Sequence, residues 1–260
     1  MAEKQQIDFF TQADFDYVTV RVAQEPDRLI LVGGQAVAVW GIYFDVPPPP
    51  GDYPALTADT DWLGHQDDAR QLCKSLESDT TTVEFQAEDA FGFSANTAMA
   101  LMHHEERTLL MDFLKNITGL ETKEVERLAL EITISGNRFR VMHPLHCLIS
   151  RFANLKAHSI KRLGNGPIQA KWMIEITRRY LESLVDSEQP PDEVAKAIRI
   201  IANLAAFDPG KYCYLNMKLD ALDAIPRSAI IYAGEGFAGK EWPVIIARIN
   251  KKRISWAAQT

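Results

Sequence analysis

Two aspartates separated by a single residue, Asp59 and Asp61, are the side chains whose types and spacing most clearly suggest chemistry. They lie in Thr57–Gly64, a segment with the character of a β-strand. In a strand, residues i and i+2 point to the same face, with side chains roughly 7 Å apart. Two carboxylates held side by side repel each other and resist burial unless a cation compensates. Because Mg²⁺ takes oxygen ligands and keeps positions open for substrate phosphates, the pair predicts a divalent-metal site.

A third acid, Asp112, stands inside the apolar run Leu109–Leu114. An acid there is costly unless it faces a polar site. If its strand lay beside that of Asp59 and Asp61, three acids would converge and could hold two metal ions. Two ions can stabilise both the attacking and the leaving oxygen of a phosphoryl displacement. The alternative is that the first two acids lie on the solvent face of an edge strand and that Asp112 pairs with a base such as Arg107.

Two consecutive glycines, Gly33 and Gly34, follow the apolar run Leu29–Val32 and precede a predicted helix at Gln35–Phe44. A strand that ends in two glycines and opens a helix presents bare backbone N–H groups at a positive helix terminus. That arrangement receives phosphate well. The alternative reading is a tight strand-to-helix turn that needs glycine only for its conformation.

Taken together, Leu31–Val37, Thr57–Asp61 and Leu110–Leu114 resemble the polymerase-beta-like nucleotidyltransferase superfamily. The signature of that family is a Gly-Gly or Gly-Ser turn opening a helix, an Asp-x-Asp/Glu strand, and a later strand with one more Asp. The likeness is strongest to small stand-alone bacterial members, including abortive-infection and toxin–antitoxin nucleotidyltransferases. It covers roughly residues 28 to 120.

The resemblance implies a role for each motif residue. Gly33 and Gly34 would contact the triphosphate of a nucleotide. Asp59 and Asp61 would hold Mg²⁺ or Mn²⁺, and Asp112 would complete the metal site and help to deprotonate the attacking hydroxyl.

In related enzymes, the helix after the catalytic sheet also carries a cation that can meet the triphosphate. Arg151 and Lys156 are the candidates, and the alternative for both is a solvated helix face. One feature departs from the family pattern: Asp59 follows Gly34 by 25 positions (59 − 34), because the proline-rich stretch Pro47–Pro50 intervenes. This stretch is expected to be an extended surface segment that restricts access to the site.

The implied activity is transfer of an NMP from an NTP, ATP or another, to a hydroxyl with release of pyrophosphate. The acceptor could be an RNA end, a protein side chain or a small molecule, and a cognate toxin or antitoxin is an expected partner. The alternative is a non-catalytic nucleotide-binding module of the same fold that acts as an antitoxin or a sensor.

A third candidate function, that of a P-loop NTPase, rests on Gly234–Lys240, which matches two glycine-rich phosphate-binding patterns. Too little chain follows for the βαβ unit that such sites require, and Glu241 stands where a metal-binding hydroxyl is needed. The segment is therefore predicted to be a flexible connector. The basic residues Arg248, Lys251, Lys252 and Arg253 could meet RNA or a partner, and the alternative is a solubilising tail.

The elements that must position these residues change in character along the chain. Strands are further predicted at Thr81–Gln86, Ala98–His103, Arg107–Leu114, Glu131–Ile134 and Arg138–Met142. Helices are predicted at Gln66–Ser78, Glu121–Ala129, from Pro144 through Leu155, and at Ile168–Val185, Asp192–Ala205 and Met217–Ala224. The fold class is α+β: a small mixed or antiparallel sheet flanked by helices in a catalytic domain, residues 1–142, followed by a mostly helical domain, residues 143–260.

The bulk composition is that of an ordinary globular protein. The 260 residues are 47% hydrophobic and 24% charged with a formal net charge of −7, which disfavours a protein that coats nucleic acid. No apolar run approaches the length of a membrane span and no signal-peptide pattern opens the chain, so a cytoplasmic location without a membrane partner is expected. The three cysteines, Cys73, Cys147 and Cys213, are predicted to be buried thiols.

Overall fold

The computed structural model describes residues 7–50, 59–87 and 96–258. The chain divides into two compact units, Met1–Val39 with Pro50–His143 and Trp40–Pro49 with Pro144–Thr260. The fold class predicted from the sequence, α+β with a mixed sheet flanked by helices and a helical C-terminal part, is confirmed. The separation into independent domains after residue 142 stays a prediction. Among the described residues, no helix combines the length and the apolar character that crossing a bilayer requires.

The first unit is built on a seven-stranded mixed sheet with the order β3-β4-β5-β2-β1-β7-β6. Its strands are β1 (Ile30–Val32), β2 (Asp59–Leu63), β3 (Thr81–Ala87), β4 (Asn96–His104), β5 (Arg107–Leu114), β6 (Leu130–Ile134) and β7 (Asn137–Val141). β2 pairs in parallel with β5, β1 pairs in parallel with β7, and the other neighbours are antiparallel. Every predicted strand is present, with bounds shifted by one or two residues; Thr57 and Ala58 lie outside the described residues.

The alternation of side chains explains why the central strands adopt their register. In β5, Leu109, Met111 and Phe113 are fully buried, while Asp112 lies on the opposite face and is partly exposed. β2 alternates in the same way, with Trp62 buried. A slip of one residue would exchange the two faces, so burial of the apolar side chains also sets where the acids point.

Four helices belong wholly or partly to this unit: α1 (Gln12–Val22), α2 (Gly33–Tyr43), α3 (Gln66–Leu76) and α4 (Thr122–Leu128). Sequence reasoning missed α1, although its start carries a recognisable signal. Thr11 caps the helix by accepting a hydrogen bond from the backbone of Asp14, whose carboxylate accepts from the Thr11 backbone in return. This reciprocal capping box satisfies backbone donors that would otherwise have no partner.

The second unit is helical. Its α-helices are α5 (Pro144–Ala157), α6 (Ser159–Leu163), α7 (Gly166–Asp186), α8 (Pro191–Ala206), α9 (Gly210–Tyr212), α10 (Arg227–Tyr232) and α11 (Trp242–Ala257). The end of α2 also belongs here: Gly41 lies so close to Trp172 of α7 that a β-carbon on it would come within 2.3 Å of the indole ring. The indole N–H donates to the carbonyl of Val46 at 3.1 Å, ahead of the irregular and mostly exposed stretch Pro47–Pro50.

Two predictions for this half of the chain are wrong. The glycine-rich segment is not a flexible connector: after Gly234 it is helical, with a π-helix at Phe237–Glu241 that runs into α11. The residues from Met217 to Ala224 do not form one helix. A π-helix at Cys213–Met217 ends there, Lys218 adopts a left-handed conformation with φ of 57°, and a separate 3₁₀ turn covers Ala221–Ala224.

Candidate metal centre

Three aspartates converge on one face of the central sheet. Asp59 and Asp61 lie on β2 and Asp112 lies on β5, and one carboxylate oxygen from each lies within 4.8 Å of the others. Asp61 and Asp112 are direct neighbours in the parallel register of the two strands. All three side chains are partly exposed, so the group is open to solvent on one side.

One alternative reading of the first two acids, a place on an edge strand, is wrong. β2 is not an edge strand, because it lies between β5 and β1. Asp112 does not pair with Arg107, whose Nε instead lies 3.3 Å from the carboxylate of Asp14. The three acids therefore meet in the middle of the sheet, where their negative charges repel each other.

Gly33 lies directly against one of these acids, Asp61. Its φ of +68° lies in the left-handed region, and a β-carbon built on it would lie 1.7 Å from Oδ2 of Asp61 and 2.7 Å from Cβ of Asp61. The two residues are brought together because Val32 pairs with Asp61 across the antiparallel β1–β2 ladder. Sequence reasoning expected Gly33 to serve a phosphate or a turn, and the geometry adds a third reason: glycine leaves room for the carboxylate.

Two amide side chains that sequence reasoning did not single out hold the acidic group in place. Asn96 Nδ2 donates to Oδ1 of Asp112 at 2.9 Å from the neighbouring strand β4. Gln35 is completely buried in the first turn of α2, and its Nε2 donates to the backbone carbonyl of Asp59 at 3.2 Å. Each bond restricts where an acid can lie, and neither has a sequence signal because both depend on which strands and helices become neighbours.

The donor set fits a hard divalent cation. Three carboxylates within reach of a common point supply the oxygen ligands that Mg²⁺ and Mn²⁺ prefer, and their mutual repulsion is relieved when a cation is bound. Within the described ranges, no second group of three acidic, histidine or cysteine ligands is assembled.

The predicted triphosphate-binding residues are placed in two parts of the chain. Gly33 and Gly34 form the first turn of α2, directly beside the acids. The cations lie on α5 in the second unit, where Arg151 donates to Gln169 Oε1 at 2.8 Å and Lys156 pairs with Asp208 at 2.9 Å. Their role in binding phosphate stays a prediction.

The three cysteine thiols lie outside this site and are all buried without a disulfide, as predicted. Desolvation by burial raises the pKa of each to about 12. At neutral pH they are therefore protonated, the form in which a thiol is a poor nucleophile.

A scan of protein-family models and a search of curated proteins gave no match to this chain. Solved structures that match it include an antigenic nucleotidyltransferase-like protein from Paracoccidioides brasiliensis, with 15% identity, a TM-score of 0.41, and 64% of this chain and 78% of that chain covered. JHP933 from Helicobacter pylori matches with 13% identity and a TM-score of 0.39 over 94% of both chains. The Megavirus polyadenylate synthase matches with 10% identity and a TM-score of 0.40 over 70% of this chain and 38% of its own.

Likenesses at TM-scores this low do not assign an activity to this chain. The residues of the site itself have to do so.

Proposed function

We propose that this chain is a metal-dependent nucleotidyltransferase that moves an NMP from an NTP to a hydroxyl acceptor. The observation that carries the proposal is the convergence of Asp59, Asp61 and Asp112, with Gly33 at the start of α2 pressed against Asp61. A pair of acids alone is common on protein surfaces. Three acids on central strands, beside a glycine turn that opens a helix, form the arrangement that the motif resemblance implies.

Each residue has a stated task in this reaction. Asp59 and Asp61 bind Mg²⁺ or Mn²⁺, which when present neutralises charge on the triphosphate and on the reacting oxygens. The N-terminal turn of α2 at Gly33 and Gly34 supplies backbone N–H groups and a partial positive charge to the phosphates. Asp112 accepts the proton of the attacking hydroxyl, as a positioned carboxylate can.

The bond changes balance without further reactants. The acceptor oxygen forms a bond to the α-phosphorus of the NTP, and the bond from that phosphorus to the oxygen bridging to the β-phosphate breaks. Pyrophosphate leaves with that electron pair, and the hydroxyl proton passes to Asp112 and then to solvent. Arg151 and Lys156 are proposed to meet the triphosphate from α5.

The test is label transfer from each of the four NTPs, in Mg²⁺ or Mn²⁺, to total RNA, to protein or to small-molecule hydroxyls. Label on the α-phosphate should appear in one acceptor, and label on the γ-phosphate should not, which separates NMP transfer from phosphorylation. Transfer should vanish in Asp59→Asn, Asp61→Asn and Asp112→Asn. The exposed Asp27 of the same unit provides a matched control, because Asp27→Asn removes one charge away from the group and should leave transfer unchanged.

The outcome also decides between two roles. Nucleotide binding that depends on a divalent ion but never leads to transfer would favour the non-catalytic module, an antitoxin or a sensor. Transfer that survives all three Asp→Asn changes would refute the site. The toxin–antitoxin role, the choice of NTP and the cytoplasmic location remain predictions from the resemblance and the composition.

A further inference from the structure

The last long helix of the second unit carries an unusual concentration of positive charge. α11 contains Arg248, Lys251, Lys252 and Arg253 and no acidic residue, in a chain whose net charge is −7. At about 100° per residue, Arg248, Lys251 and Lys252 lie within an arc of about 100° on the helix. Their charges therefore act on one side of α11.

One of these cations lines a groove. Arg248 borders a cavity of about 290 Å³ between α8 and α11, whose walls also include Asn203 and Val244. The one acid in this wall, Glu241, is bound at 2.6 and 2.8 Å by both nitrogens of the Arg199 guanidinium. This pair holds the pKa of Glu241 below its usual range, so the acid stays ionised and its charge is matched.

Two cations of α11 are available to a ligand. Arg248 and Lys251 are exposed and make no hydrogen bond or ion pair within the described part of the chain. Arg253, by contrast, is committed to Asp220 at 2.6 Å and is mostly buried. Two free cations one helical turn apart suit successive phosphates of a polynucleotide backbone.

An exposed aromatic ring contacts another cation of the same helix. Phe207, directly after α8, exposes 54% of its surface, and Nζ of Lys252 lies 3.4 Å from its ring centroid. The same ammonium group donates to the carbonyl of Ala206 at 3.0 Å, which fixes the cation beside the ring. An exposed aromatic ring next to cations is the combination on which an unpaired base stacks while its phosphates are neutralised.

We propose that this surface, made of Asn203, Phe207, Arg248, Lys251 and Lys252 and called here the α8–α11 surface, binds a single-stranded nucleic acid. A duplex is disfavoured because its bases are stacked on each other and cannot reach Phe207. The proposal that this surface binds a single strand depends on these residues alone. The further role of the surface in holding an acceptor strand rests on the proposed function. RNA and DNA share the recognised chemistry, a phosphate backbone with unpaired bases.

The test is fluorescence anisotropy of the full chain with labelled single strands of about 12 nucleotides, a length that one such surface can cover. An RNA strand, a DNA strand and a duplex of equal length are compared, without nucleotide or divalent ion, in the wild type and in Asp61→Asn. The single strands should bind with micromolar affinity at about 50 mM salt and more weakly at about 200 mM. Comparison of the two affinities identifies whether the surface prefers RNA or DNA.

Two pairs of variants test whether binding depends on these particular cations and on this ring, rather than on net charge or on any exposed ring. Arg248→Glu with Lys251→Glu should weaken binding at least tenfold and reduce the slope of log affinity against log salt by about 1.4, about 0.7 for each lost contact. Lys123→Glu with Arg127→Glu on α4 changes the net charge equally and should have little effect. Phe207→Leu should weaken binding about fivefold or more. Phe9→Leu, at a ring that is 50% exposed in the first unit, should not.

The proposal is overturned if the duplex binds as tightly as the single strands, if no strand binds at low salt, or if the α4 variant weakens binding as much as the α11 variant. These results are independent of NMP transfer, because Asp61→Asn should bind the strands like the wild type. Strand binding by a wild-type chain that transfers no label to any acceptor would instead count against the proposed catalytic site and leave the α8–α11 surface standing.

Discussion

Replacing Gly33 with alanine introduces a single methyl group at the point where the sheet and α2 meet the acids. The added carbon would lie 1.7 Å from Oδ2 and 2.5 Å from Cγ of Asp61, whereas ordinary contact begins at 3.4 Å. Rotation of the carboxylate alone does not relieve the overlap, because Cβ of Asp61 is also only 2.7 Å away. Either β2 or the first turn of α2 must therefore move.

The magnitude follows from this displacement. A separation of 1.7 Å has to become 3.4 Å, so Asp61 shifts by more than 1 Å relative to its neighbours. A misplacement of about 1 Å in a catalytic group costs on the order of 100-fold in rate. The backbone contributes separately, because a non-glycine residue at positive φ costs about 1–2 kcal/mol. For a chain of this size, that lowers the melting temperature by roughly 2–8 °C.

Gly136 in the β6–β7 turn provides the matched control. Its φ of +81° carries the same backbone cost, and a β-carbon on it would meet nothing within 4 Å. Gly136→Ala should therefore lose stability but keep full transfer activity and full stabilisation by Mg²⁺ or Mn²⁺. Gly33→Ala should lose about 100-fold in transfer and most of the rise in melting temperature that either ion produces.

The assay combines label transfer with thermal unfolding, each with and without the ion. If Gly33→Ala retained at least about a third of the wild-type activity and the full ion-dependent rise in melting temperature, the reasoning would be refuted. Asp61 would then not need the position that glycine gives it. Because the ion-dependent rise is measured without substrate, this result does not depend on having found the acceptor.

Three further predictions use other contacts. Asn96→Ala removes the amide that orients Asp112 and should lower transfer and ion affinity about 10- to 100-fold. The control, Asn137→Ala, removes a strand amide elsewhere in the sheet and should change neither. In denaturant titrations, Gly41→Ala should lower the free energy of unfolding by about 1–3 kcal/mol, because the added methyl group overlaps an indole ring. Gly239→Ala places its methyl group in open space on helical backbone, so it should raise the free energy of unfolding by about 0.5–1 kcal/mol without loss of nucleotide binding. Burial raises the pKa of all three cysteine thiols to about 12, so a thiol-reactive dye near pH 8 should label none of them in the native protein and all three after unfolding. Labelling of the native protein at the rate of a free thiol, whose pKa is about 8.5, would contradict this.

The acids of the site were predictable because their spacing is a local property. Alternation of period two places Asp59 and Asp61 on one face of a strand wherever that strand lies. The apolar neighbours of Asp112 require the acid to face away from them, and this too is a local requirement. What the spacing could not provide was the parallel pairing of β2 with β5, because the β3–β4 hairpin intervenes between them in the chain.

The failures have equally specific causes. The segment after Gly234 was expected to be a flexible connector because it is rich in glycine and unsuited to a phosphate-binding loop. It is instead helical between α10 and α11, where tertiary contacts such as that of Phe237 with Arg199 override the low helix propensity of glycine. The basic residues of α11 were expected either to meet RNA or a partner or to form a solubilising tail. They lie on a folded helix, where one of them pairs with Asp220, and whether they contact RNA or a partner stays a prediction.

By itself, the sequence determined the alternating strands, most helices and the three acids, because each follows from the periodicity of neighbouring residues. Only the tertiary structure decided that these acids meet, that Asn96 and Gln35 orient them, and that Gly33 is required by a carboxylate. The same holds for the contact of Phe207 with Lys252 of α11. Contacts between residues distant in the chain depend on which elements become neighbours, and burial of the whole apolar surface decides that.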